Sequence, residues 1–552
     1  MYSLTAGNAI MTSEAADPYT LVLFTAQSGA LSARLDGADG TALHLHSLVD
    51  PERESAFFSD LTFWGDRVIL AGCGLGYHLK SAIGSLGGDA RLLLIEYYDE
   101  LASRCLSRFP DEVRDRVTVV SRTDPGARNR VTEFISQGKY VQVVKHPPSF
   151  RAHREYYRDL LSVAGRKPSA ARLPGTVMVM QGNFFLEKEI EAATENGKTA
   201  AVPFPYDKWE SVTAYESELQ RQLQTAQPGA VISVNMLGFD GNGILPEYCR
   251  RMGIPLIVWF VDDPRPILLN RKRFVTDSMI AGTWEREYIP WLREQGFGSV
   301  NYLPLATDPR QFAATEGGSV TIDCGFVGTA MGSSFLREIA DKFLWRAEYG
   351  PLAAMVAAKL VCYNRVEVDR LIEEACRGCS PVLPIDDNHT RTWLRSYILH
   401  TASMIKRKKV LSALLPLGIE TFGDPEGWHE LFGSGIITHP DIDYRTEIGS
   451  CYRAIRVTVN STSCQMPTAL NQRVFDVPVS GGFVLNDDQA DLHELFPEDE
   501  IATYRTPEEC ADKVRFYLSN ETRRNEIAAA ARTHILNEHT YFHRLQTLLS
   551  WC

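Results

Sequence analysis

The polar residues with the most informative spacing lie near the carboxyl end of the chain. Asn471, Arg473 and Asp476 follow one another at short steps and precede the paired glycines Gly481 and Gly482. An amide and a guanidinium group can face an anion, and a carboxylate can accept hydrogen bonds from hydroxyl groups. A diphosphate joined to a ribose is one ligand that fits these groups. The glycines let the backbone approach a ligand closely, although paired glycines are equally typical of an ordinary helix end.

Such residues need a layered α/β arrangement to bring them together, and the chain predicts one. The segment that carries them is predicted to be an amphipathic helix leading into the apolar strand Phe483–Leu485. Further predicted strands alternate with helical patterns and lie at Thr176–Met180, Ala230–Val234, Pro255–Val261, Ser278–Ala281, Val300–Leu303, Thr321–Val327, Gly418–Phe422, Gly435–Thr438 and Arg456–Asn460. This alternation predicts parallel sheets covered by helices, which bind ligands at the carboxyl ends of their strands.

Three motifs near the carboxyl end resemble those of a known family. They are the segments Asn471–Phe483, Tyr504–Glu509 and His539–Arg544. They are similar to the motifs N-x-R-x-F-E-x-x-x-x-G-G-F, Y-x-x-P-E-E and H-T-Y-x-x-R of the CgeB-like (spore-protein-like) glycosyltransferases, which have the GT-B fold. Asp476 stands where that family usually has glutamate, and its shorter side chain still offers a carboxylate.

The resemblance covers about residues 320–545 well and about 175–310 more weakly. It implies two facing Rossmann-like domains, an acceptor domain at 175–315 and a nucleotide-sugar domain at 320–552. The second domain is expected to carry a helical insertion at about 335–410. The implied activity is the transfer of a sugar from a nucleotide-diphosphate donor to an acceptor hydroxyl, without a metal ion or another cofactor.

The resemblance also implies a role for each residue of the first motif. Asn471 and Arg473 would hold the diphosphate and offset the charge of the leaving group. Asp476 would hold the ribose, and Gly481 and Gly482 would lie against the donor.

Two strand-to-helix turns offer further contacts for phosphate. Gly328 and Thr329 follow the predicted first strand of the nucleotide-sugar domain, and Gly182 and Asn183 occupy the matching place in the acceptor domain. Exposed backbone N–H groups at a helix N-terminus favour an anion. A plain turn is the alternative for both pairs.

Two neighbouring acids are candidates for a general base. Asp262 and Asp263 follow the strand Pro255–Val261, where a carboxylate can take the proton of an acceptor hydroxyl. Neighbours at an extended strand end point to opposite sides, so only one can face a cleft. We favour Asp263 for the cleft, because Pro264 restrains it to an extended conformation. Asp240 is the next candidate, and a turn or helix cap is the alternative for the pair.

The sequence contains no strong cluster of metal ligands. Asp441 and Asp443 form an Asp-x-Asp pair, which we interpret as a loop near the nucleobase. Cys376 and Cys379 lack a second pair or a histidine at zinc spacing. The 11 cysteines are scattered and are expected to be reduced thiols of a cytoplasmic protein.

Composition argues against a nucleic-acid-binding protein and against a membrane-spanning one. The net charge of −12 does not favour a nucleic-acid-binding protein, because neutralising phosphates requires clustered lysine and arginine. The compact basic run Lys406–Lys409 is interpreted as a solvated helix face. No segment approaches the roughly 20 apolar residues that span a membrane, so no transmembrane segment is expected.

Residues 1–165 are predicted to form a separate Rossmann-like domain. Gly72, Gly74 and Gly76 follow one apolar strand, Glu96 ends the next, and a helix is expected from about Leu79. This spacing is typical of a dinucleotide or S-adenosylmethionine site. The same run, Gly-Leu-Gly-Tyr-His with a later Ile-Glu, resembles the MptE-like domain of motility-associated glycosylation factors, which implies a protein acceptor such as flagellin.

Two other hypotheses stay open. The protein could be an enzyme that uses S-adenosylmethionine or NAD through the glycine loop, with the rest as scaffold. It could also be a non-catalytic binding protein with a GT-B-like fold, since fold does not fix function. Residues 166–175 have the composition of a linker between the first domain and the rest.

Overall fold

The computed structural model describes most of the chain. The described residues are 17–162, 173–196, 199–209, 211–312, 321–362, 368–378, 385 and 387–552. The chain divides into two compact units, Met1–Arg172 with Lys208–Gln227 and Leu173–Asp207 with Pro228–Cys552. The predicted linker at 166–175 lies mostly outside the described residues.

The first unit contains an antiparallel and a parallel sheet. The antiparallel sheet comprises β1 (Tyr19–Thr25), β2 (Leu31–Gly37) and β3 (Ala42–His44). The parallel sheet comprises β4 (Arg67–Ala71), β5 (Arg91–Glu96), β6 (Val117–Ser121) and β7 (Val141–Lys145) in the order β6-β5-β4-β7. The helices are α1 (Glu54–Phe57), α2 (Asp99–Ser107), α3 (Asp111–Arg114), α4 (Ala127–Ser136), α5 (Pro147–Ala152), α6 (Arg154–Leu161) and α8 (Val212–Ala226). The parallel order is that of a Rossmann half, as predicted.

Helix α8 covers an open edge of this parallel sheet. Gln220 accepts from the N–H of Val143 at 2.7 Å and donates to its C=O at 2.8 Å. Gln224 makes the same two bonds with Val141 at 2.8 and 2.6 Å. Side-chain amides thus satisfy the backbone groups that an edge strand leaves unpaired. The prediction of one continuous domain over 175–315 does not anticipate that this helix groups with the first unit.

The second unit begins with a parallel six-stranded sheet. Its strands are β8 (Leu173–Gln181), β9 (Ala200–Pro205), β10 (Pro228–Val234), β11 (Leu256–Phe260), β12 (Met279–Thr283) and β13 (Ser299–Tyr302), in the order β13-β12-β11-β10-β8-β9. Its helices are α7 (Phe185–Ala193), α9 (Ile244–Met252), α10 (Pro264–Leu268), α11 (Ile289–Glu294) and α12 (Pro309–Phe312). β11 is buried along its whole length, as expected for a strand covered on both faces.

A second parallel six-stranded sheet follows in the same unit. Its strands are β14 (Ile322–Val327), β15 (Glu420–Phe422), β16 (Ile437–His439), β17 (Ile455–Val459), β18 (Val484–Asp487) and β19 (Ala502–Tyr504), in the order β16-β15-β14-β17-β18-β19. The helices are α13 (Ser333–Ala340), α14 (Tyr349–Cys362), α15 (Val368–Gly378), α16 (Asn388–Leu414), α17 (Pro425–Phe432), α18 (Ile448–Ala454), α19 (Arg473–Val479), α20 (Leu492–Leu495), α21 (Pro507–Ser519), α22 (Glu521–Glu538) and α23 (Tyr541–Ser550). This is the doubly wound Rossmann order.

Helices α13 to α16 form the predicted insertion between β14 and β15. Tyr349, Leu394 and Ile398 belong to an apolar cluster of the insertion itself. Leu411, near the other end of α16, packs into the core beneath the sheet. The 27-residue α16 therefore connects the insertion to the sheet. None of the described helices, α16 included, combines the length and apolar character needed to cross a membrane.

The carboxyl-terminal helix returns to the first sheet of the second unit. Thr307 and Thr540 form a parallel bridge, and Arg544 donates to the C=O groups of Pro304 and Leu305 at 2.8 and 2.9 Å. Helix α23 then packs against α7. The closing motif His539–Arg544 therefore lies where the chain crosses from the second sheet of this unit back to the first. Two Rossmann-like parallel sheets with this return crossing make the GT-B fold, which confirms the predicted fold.

Candidate functional site

The predicted turn at Gly328 and Thr329 lies at the carboxyl end of β14. Gly328 has a φ of +145°, a conformation that favours glycine, and a Cβ there would meet the guanidinium group of Arg473. The N–H of Gly328 donates to the C=O of Phe422 at 2.8 Å. Thr329 is exposed, and its N–H has no partner among the described residues. Because α13 begins only at Ser333, this turn is a loop that offers one open donor rather than a helix N-terminus.

Asn460 brings two of the predicted donor-binding residues together. It directly follows β17, and its Oδ1 accepts from Asn471 Nδ2 at 3.0 Å and from Arg473 Nη1 at 2.9 Å. Its own Nδ2 donates to Asn471 Oδ1 at 2.9 Å. These bonds fix the start of α19 at the carboxyl edge of the sheet. The sequence analysis did not single out Asn460. Its position as a polar residue directly after a buried strand could have identified it as a candidate.

Arg407 is a second arginine at this edge. It is 4% exposed and donates to the C=O of Thr329 at 2.6 Å. Its guanidinium carbon lies 5.6 Å from the ring centroid of Phe326, and that of Arg473 lies 5.3 Å from the same ring. The interpretation of Lys406–Lys409 as a solvated face is therefore wrong for Arg407. Burial of one residue in a basic run depends on where the long helix α16 packs, which the local pattern does not reveal.

Among the described residues, carboxylates such as Asp487 act on the two guanidinium groups only through their charge and not through an ion pair. Neither Arg407 nor Arg473 forms an ion pair with a carboxylate in the part of the chain that the structure describes. Burial lowers the pKa of Arg407 to about 9, and the charge of Arg473 contributes to this lowering. Burial also lowers the pKa of Arg473. A buried and a half-buried cation that share one aromatic ring repel each other until an anion neutralises them, and guanidinium groups suit a diphosphate.

Gly481 and Gly482 lie at the other edge of the sheet. They end α19, with Gly481 at a φ of +87° and the N–H of Gly482 bonded to the C=O of Val477 at 2.9 Å. Both precede β18, so they lie at its amino end, whereas Asn460 follows the carboxyl end of the neighbouring strand. Gly481 and Gly482 were predicted to bind the donor, but the structure places them at the end of a helix, away from the carboxyl edge.

Asp476 is fully buried one turn into α19. Its Oδ2 accepts from the hydroxyl of Tyr444 at 2.8 Å, while Oδ1 makes no bond of regular geometry and the hydroxyl of Thr307 lies near the carboxyl group. Burial raises the pKa of Asp476 to about 8. A ribose could reach this carboxylate only if Tyr444 moved, so the predicted ribose contact is not open in this structure.

Asp262 and Asp263 have separate roles, opposite to the expected ones. Asp263 accepts from the N–H of Arg265 at 3.0 Å and caps α10, and its other oxygen lies 2.5 Å from Nη1 of Arg395. Asp262 accepts from Nδ2 of Asn235 at 2.8 Å. Burial raises the pKa of Asp262 to about 6, and the charge of Asp263 adds to the rise. Asp262 is the better-placed base, because no ion pair holds its carboxylate among the described residues.

Two further predicted sites are engaged in their own turns. Asp240 accepts from the N–H of Ile244 at 2.6 Å, at the start of α9. The N–H of Gly182 donates to the buried carboxylate of Glu187 at 2.6 Å, and Asn183 is exposed beside it. Glu187 thus takes the place that an anion would need at Gly182. The plain-turn alternative therefore fits Gly182 and Asn183, and Asp240 binds the backbone at the start of α9.

The acids considered as metal ligands also make local bonds. Asp441 accepts from the N–H of Asp424 at 2.8 Å. Asp443 accepts from the N–H of Thr446 at 2.8 Å. Cys379 of the Cys-x-x-Cys pair lies outside the described residues.

The glycine loop of the first unit is closed by its own acid. Glu96 accepts from the N–H groups of Cys73 and Gly74 at 2.6 and 3.1 Å and from the hydroxyl of Tyr157 at 3.1 Å. A 3-10 turn at Tyr77–Leu79 stands where the sequence predicts the start of a helix. The carboxylate is therefore committed to the loop and is not available to a ribose.

A histidine cluster supports the same loop. His46, Glu54 and His146 have ligand atoms within 4.8 Å of one another, a spacing that could hold a metal ion. However, Nδ1 of His46 is bonded to Glu54 at 2.7 Å, and Nε2 accepts from the N–H of Leu75 at 2.7 Å. A metal ion would have to displace one of these bonds. We therefore interpret the cluster as a support for the glycine loop.

Part of this chain is similar to a known family of proteins. Residues 403–550 match the family model described as Glycosyl transferase-like. This segment includes Arg407, Asn460 and Arg473, so the carboxyl-terminal part of the site lies in a glycosyl transferase-like region. No curated protein matches the chain.

Three solved structures illustrate the more distant similarities. The β-glucosyltransferase of phage T4 in complex with UDP-glucose is 9% identical with a TM-score of 0.37, covering 68% of this chain and 97% of that one. Sucrose-phosphate synthase from Thermosynechococcus elongatus is 8% identical with a TM-score of 0.40, covering 68% and 98%. HepE from Anabaena in complex with UDP is 8% identical with a TM-score of 0.32, covering 88% and 98%. At these values the similarities assign neither a ligand nor an activity to this chain.

Proposed function

We propose that this protein is a glycosyltransferase that uses a nucleotide-diphosphate sugar as donor. The observation that supports it best is the pair of guanidinium groups of Arg407, which is buried, and Arg473, which is half-buried, neither in an ion pair with a carboxylate in the described part of the chain. They lie at the carboxyl edge of a doubly wound sheet, where ligands of such sheets bind. The family match over residues 403–550 supports the same class of activity.

The donor diphosphate would bind between the two arginines and the loop after β14. Arg407 and Arg473 would each donate charge-assisted hydrogen bonds to phosphate oxygens. The open N–H of Thr329 would add a neutral donor, and Asn460 would keep Arg473 in place. Asn471 would act through Asn460, since its amide is bonded there.

The transfer itself would use Asp262 as the general base. Its carboxylate would take the proton of the acceptor hydroxyl as the acceptor oxygen forms a bond to the anomeric carbon. The bond from that carbon to the diphosphate oxygen would break, and the nucleoside diphosphate would leave with the electron pair. Arg407 and Arg473 would stabilise the negative charge that develops on it. With two guanidinium groups in this role, the proposal requires no metal ion.

A titration of nucleoside diphosphates tests the donor site. Isothermal titration calorimetry would compare the wild-type protein with Arg407→Ala and with Lys409→Ala, an exposed neighbour on the same helix. We expect at least one nucleoside diphosphate to bind the wild type, with affinity lost at least tenfold in Arg407→Ala and kept in Lys409→Ala. The absence of binding to the wild type across the common bases would contradict the proposal.

A second candidate function is nucleotide-sugar binding without transfer. It is favoured by Asp476, which stands where the resembling family has glutamate and is fully buried. Release of free sugar or transfer to an added acceptor, followed by chromatography of the donor, separates the two functions. A protein that binds the donor and leaves it intact would be a binding protein.

The acceptor is proposed only as a hydroxyl compound. A protein acceptor such as flagellin stays a prediction from the resemblance of the first unit. A cytoplasmic location likewise stays a prediction from the pattern of cysteines. The engaged carboxylate of Glu96 gives no support to the alternative of an enzyme that uses S-adenosylmethionine or NAD.

A further inference from the structure

A histidine on α16 has a ring nitrogen that nothing in the described structure uses. Nδ1 of His400 lies 2.7 Å from the C=O of Ser396, one turn earlier on the helix. A carbonyl oxygen can only accept, so Nδ1 carries the proton and Nε2 has a lone pair. Nε2 has no partner among the described residues. The bond to Ser396 fixes the direction of this free acceptor, and the side chain is half-buried.

Neighbouring residues locate His400 on the stretch of α16 between the proposed diphosphate site and Asp263. The ring of Phe335, at the start of α13, lies 5.1 Å from the ring of His400. Along α16, Arg407 lies seven residues further on, a rise of about 10 Å. Arg395, which holds Asp263, lies five residues earlier, a rise of about 8 Å. His400 therefore lies between the cations of the donor site and the acids that follow β11.

The charge state of the ring suits an acceptor. Burial lowers the pKa of His400 below its ordinary value, and the positive charge of Arg407 adds to the lowering. The negative charge of Asp263 and the bond to Ser396 act in the opposite direction and are smaller than the effect of burial. At neutral pH the ring is therefore uncharged, with its lone pair on Nε2.

From this position we propose that His400 accepts a hydrogen bond from a hydroxyl group of the donor sugar and so contributes to donor selection. In a nucleotide-diphosphate sugar the sugar is attached to the outer phosphate, next to the groups that bind the diphosphate. A site that hydrogen-bonds a substrate hydroxyl discriminates against an analogue that lacks it. The inference rests on the proposed function of the diphosphate site.

Calorimetry with two ligands tests the inference without knowledge of the acceptor. The affinities of the bound nucleoside diphosphate and of its sugar conjugate are compared for the wild type, His400→Ala and His389→Ala. His389 is the matched control, because it is exposed on the same helix and bonded to the C=O of Lys342. We expect His400→Ala to bind the nucleotide sugar about tenfold more weakly, or about 1.4 kcal/mol, with unchanged affinity for the diphosphate alone.

A conservative variant and deoxy analogues complete the test. His400→Gln offers an oxygen that can accept the same bond, so it should recover part of the lost affinity. The wild type should bind one monodeoxy sugar nucleotide about tenfold more weakly than the parent, and His400→Ala should bind both equally.

Three outcomes would overturn the proposal. An equal loss of affinity for both ligands would show that His400 only maintains the shape of the diphosphate site. Unchanged affinity for the nucleotide sugar with slower transfer would assign the histidine to proton transfer. Failure of the wild type to bind any nucleoside diphosphate would contradict the proposed function itself, and the role of His400 would fall with it.

Discussion

Asp263 and Arg395 form a buried ion pair that joins the two halves of the GT-B fold. Oδ2 and Nη1 lie 2.5 Å apart, and each side chain is 9% exposed. Asp263 follows a strand of the first sheet, and Arg395 lies on α16 of the helical insertion. Asp369 lies 3.3 Å from the same guanidinium group but is 43% exposed. The arginine is therefore neutralised mainly by Asp263.

Replacing Asp263 should destabilise the fold rather than stop the chemistry. Removing one partner of a buried pair leaves an uncompensated charge, so Asp263→Asn should lower the free energy of unfolding by about 3–5 kcal/mol. Asp369→Asn is the control and should cost less than about 1 kcal/mol, because its pair is open to solvent. Urea denaturation of both variants measures the difference. Equal free energies of unfolding for the two variants would show that the buried pair stabilises the fold no more than the exposed one.

Replacing Asp262 should have the opposite effect. Asp262→Asn should lower turnover by about 10²–10⁴, the usual contribution of a general base, with little change in melting temperature. Because the pKa of Asp262 is raised to about 6, kcat/KM of the wild type should fall as the pH drops below about 6 and the carboxylate takes up a proton. Donor consumption measured from pH 4.5 to 8 provides the profile. A flat profile over this range would place the base elsewhere.

The sheets could be predicted because their strands leave a strong local signal. β11 is the continuous apolar run Leu-Ile-Val-Trp-Phe, and its buried neighbours have similar patterns. β9 was missed because Pro203 and Pro205 weaken its pattern, which an edge strand tolerates. The position of α8 in the first unit depends on contacts with distant residues such as Val143, and no local pattern reports these.

The sequence could locate candidate residues where their position along the backbone decides their place, and it could not where packing between distant segments decides it. Asn471 and Arg473 follow from the start of a helix at the carboxyl edge of a sheet. Asp263 was misjudged because Pro264 begins a helix, which makes the preceding residue its N-cap. Arg407 could not be found because its burial depends on the path of α16 past the loop after β14.

Arg473 should contribute more to ligand affinity than to the stability of the fold. Arg473→Ala should weaken nucleoside-diphosphate binding by at least about 1.5 kcal/mol, the scale of a charge-assisted hydrogen bond. Arg473→Lys should recover only part of this, because an ammonium group cannot make two parallel bonds to a phosphate. Arg456→Ala is the control, since that side chain is 45% exposed and paired with Asp323. Unchanged affinity by calorimetry would remove Arg473 from the site.

Transfer should proceed without a divalent metal ion. Arg407 and Arg473 supply positive charge where a metal would otherwise neutralise the diphosphate. Asp441 and Asp443, which form the Asp-x-Asp pair, are bonded to local N–H groups. Activity measured in excess chelator should match activity in its absence. Full loss of activity that manganese restores would contradict this and would make the two aspartates candidates for ligands.

The buried acid Asp476 should make the stability of the protein depend on pH. Its pKa rises from an ordinary 3.8 to about 8 in the folded chain, because burial disfavours the charged carboxylate. Between these two values the folded protein holds a proton that the unfolded protein releases, so stability falls as the pH rises. The stability that the protonated Asp476 contributes is present in full below about pH 4 and is lost as the pH approaches about 8.

Asp476→Asn removes this proton and keeps an oxygen that can accept from Tyr444. Between pH 5 and 8 the free energy of unfolding should therefore fall less steeply with pH for the variant than for the wild type. The two slopes should differ by up to about 1.4 kcal/mol per pH unit. Some dependence should remain, because burial also raises the pKa of Glu189 to about 7. Urea denaturation at four pH values measures the slopes, with the exposed Asp512→Asn as control. Identical slopes for Asp476→Asn and the wild type would mean that Asp476 is ionised in the folded protein, as a ribose-binding carboxylate would be.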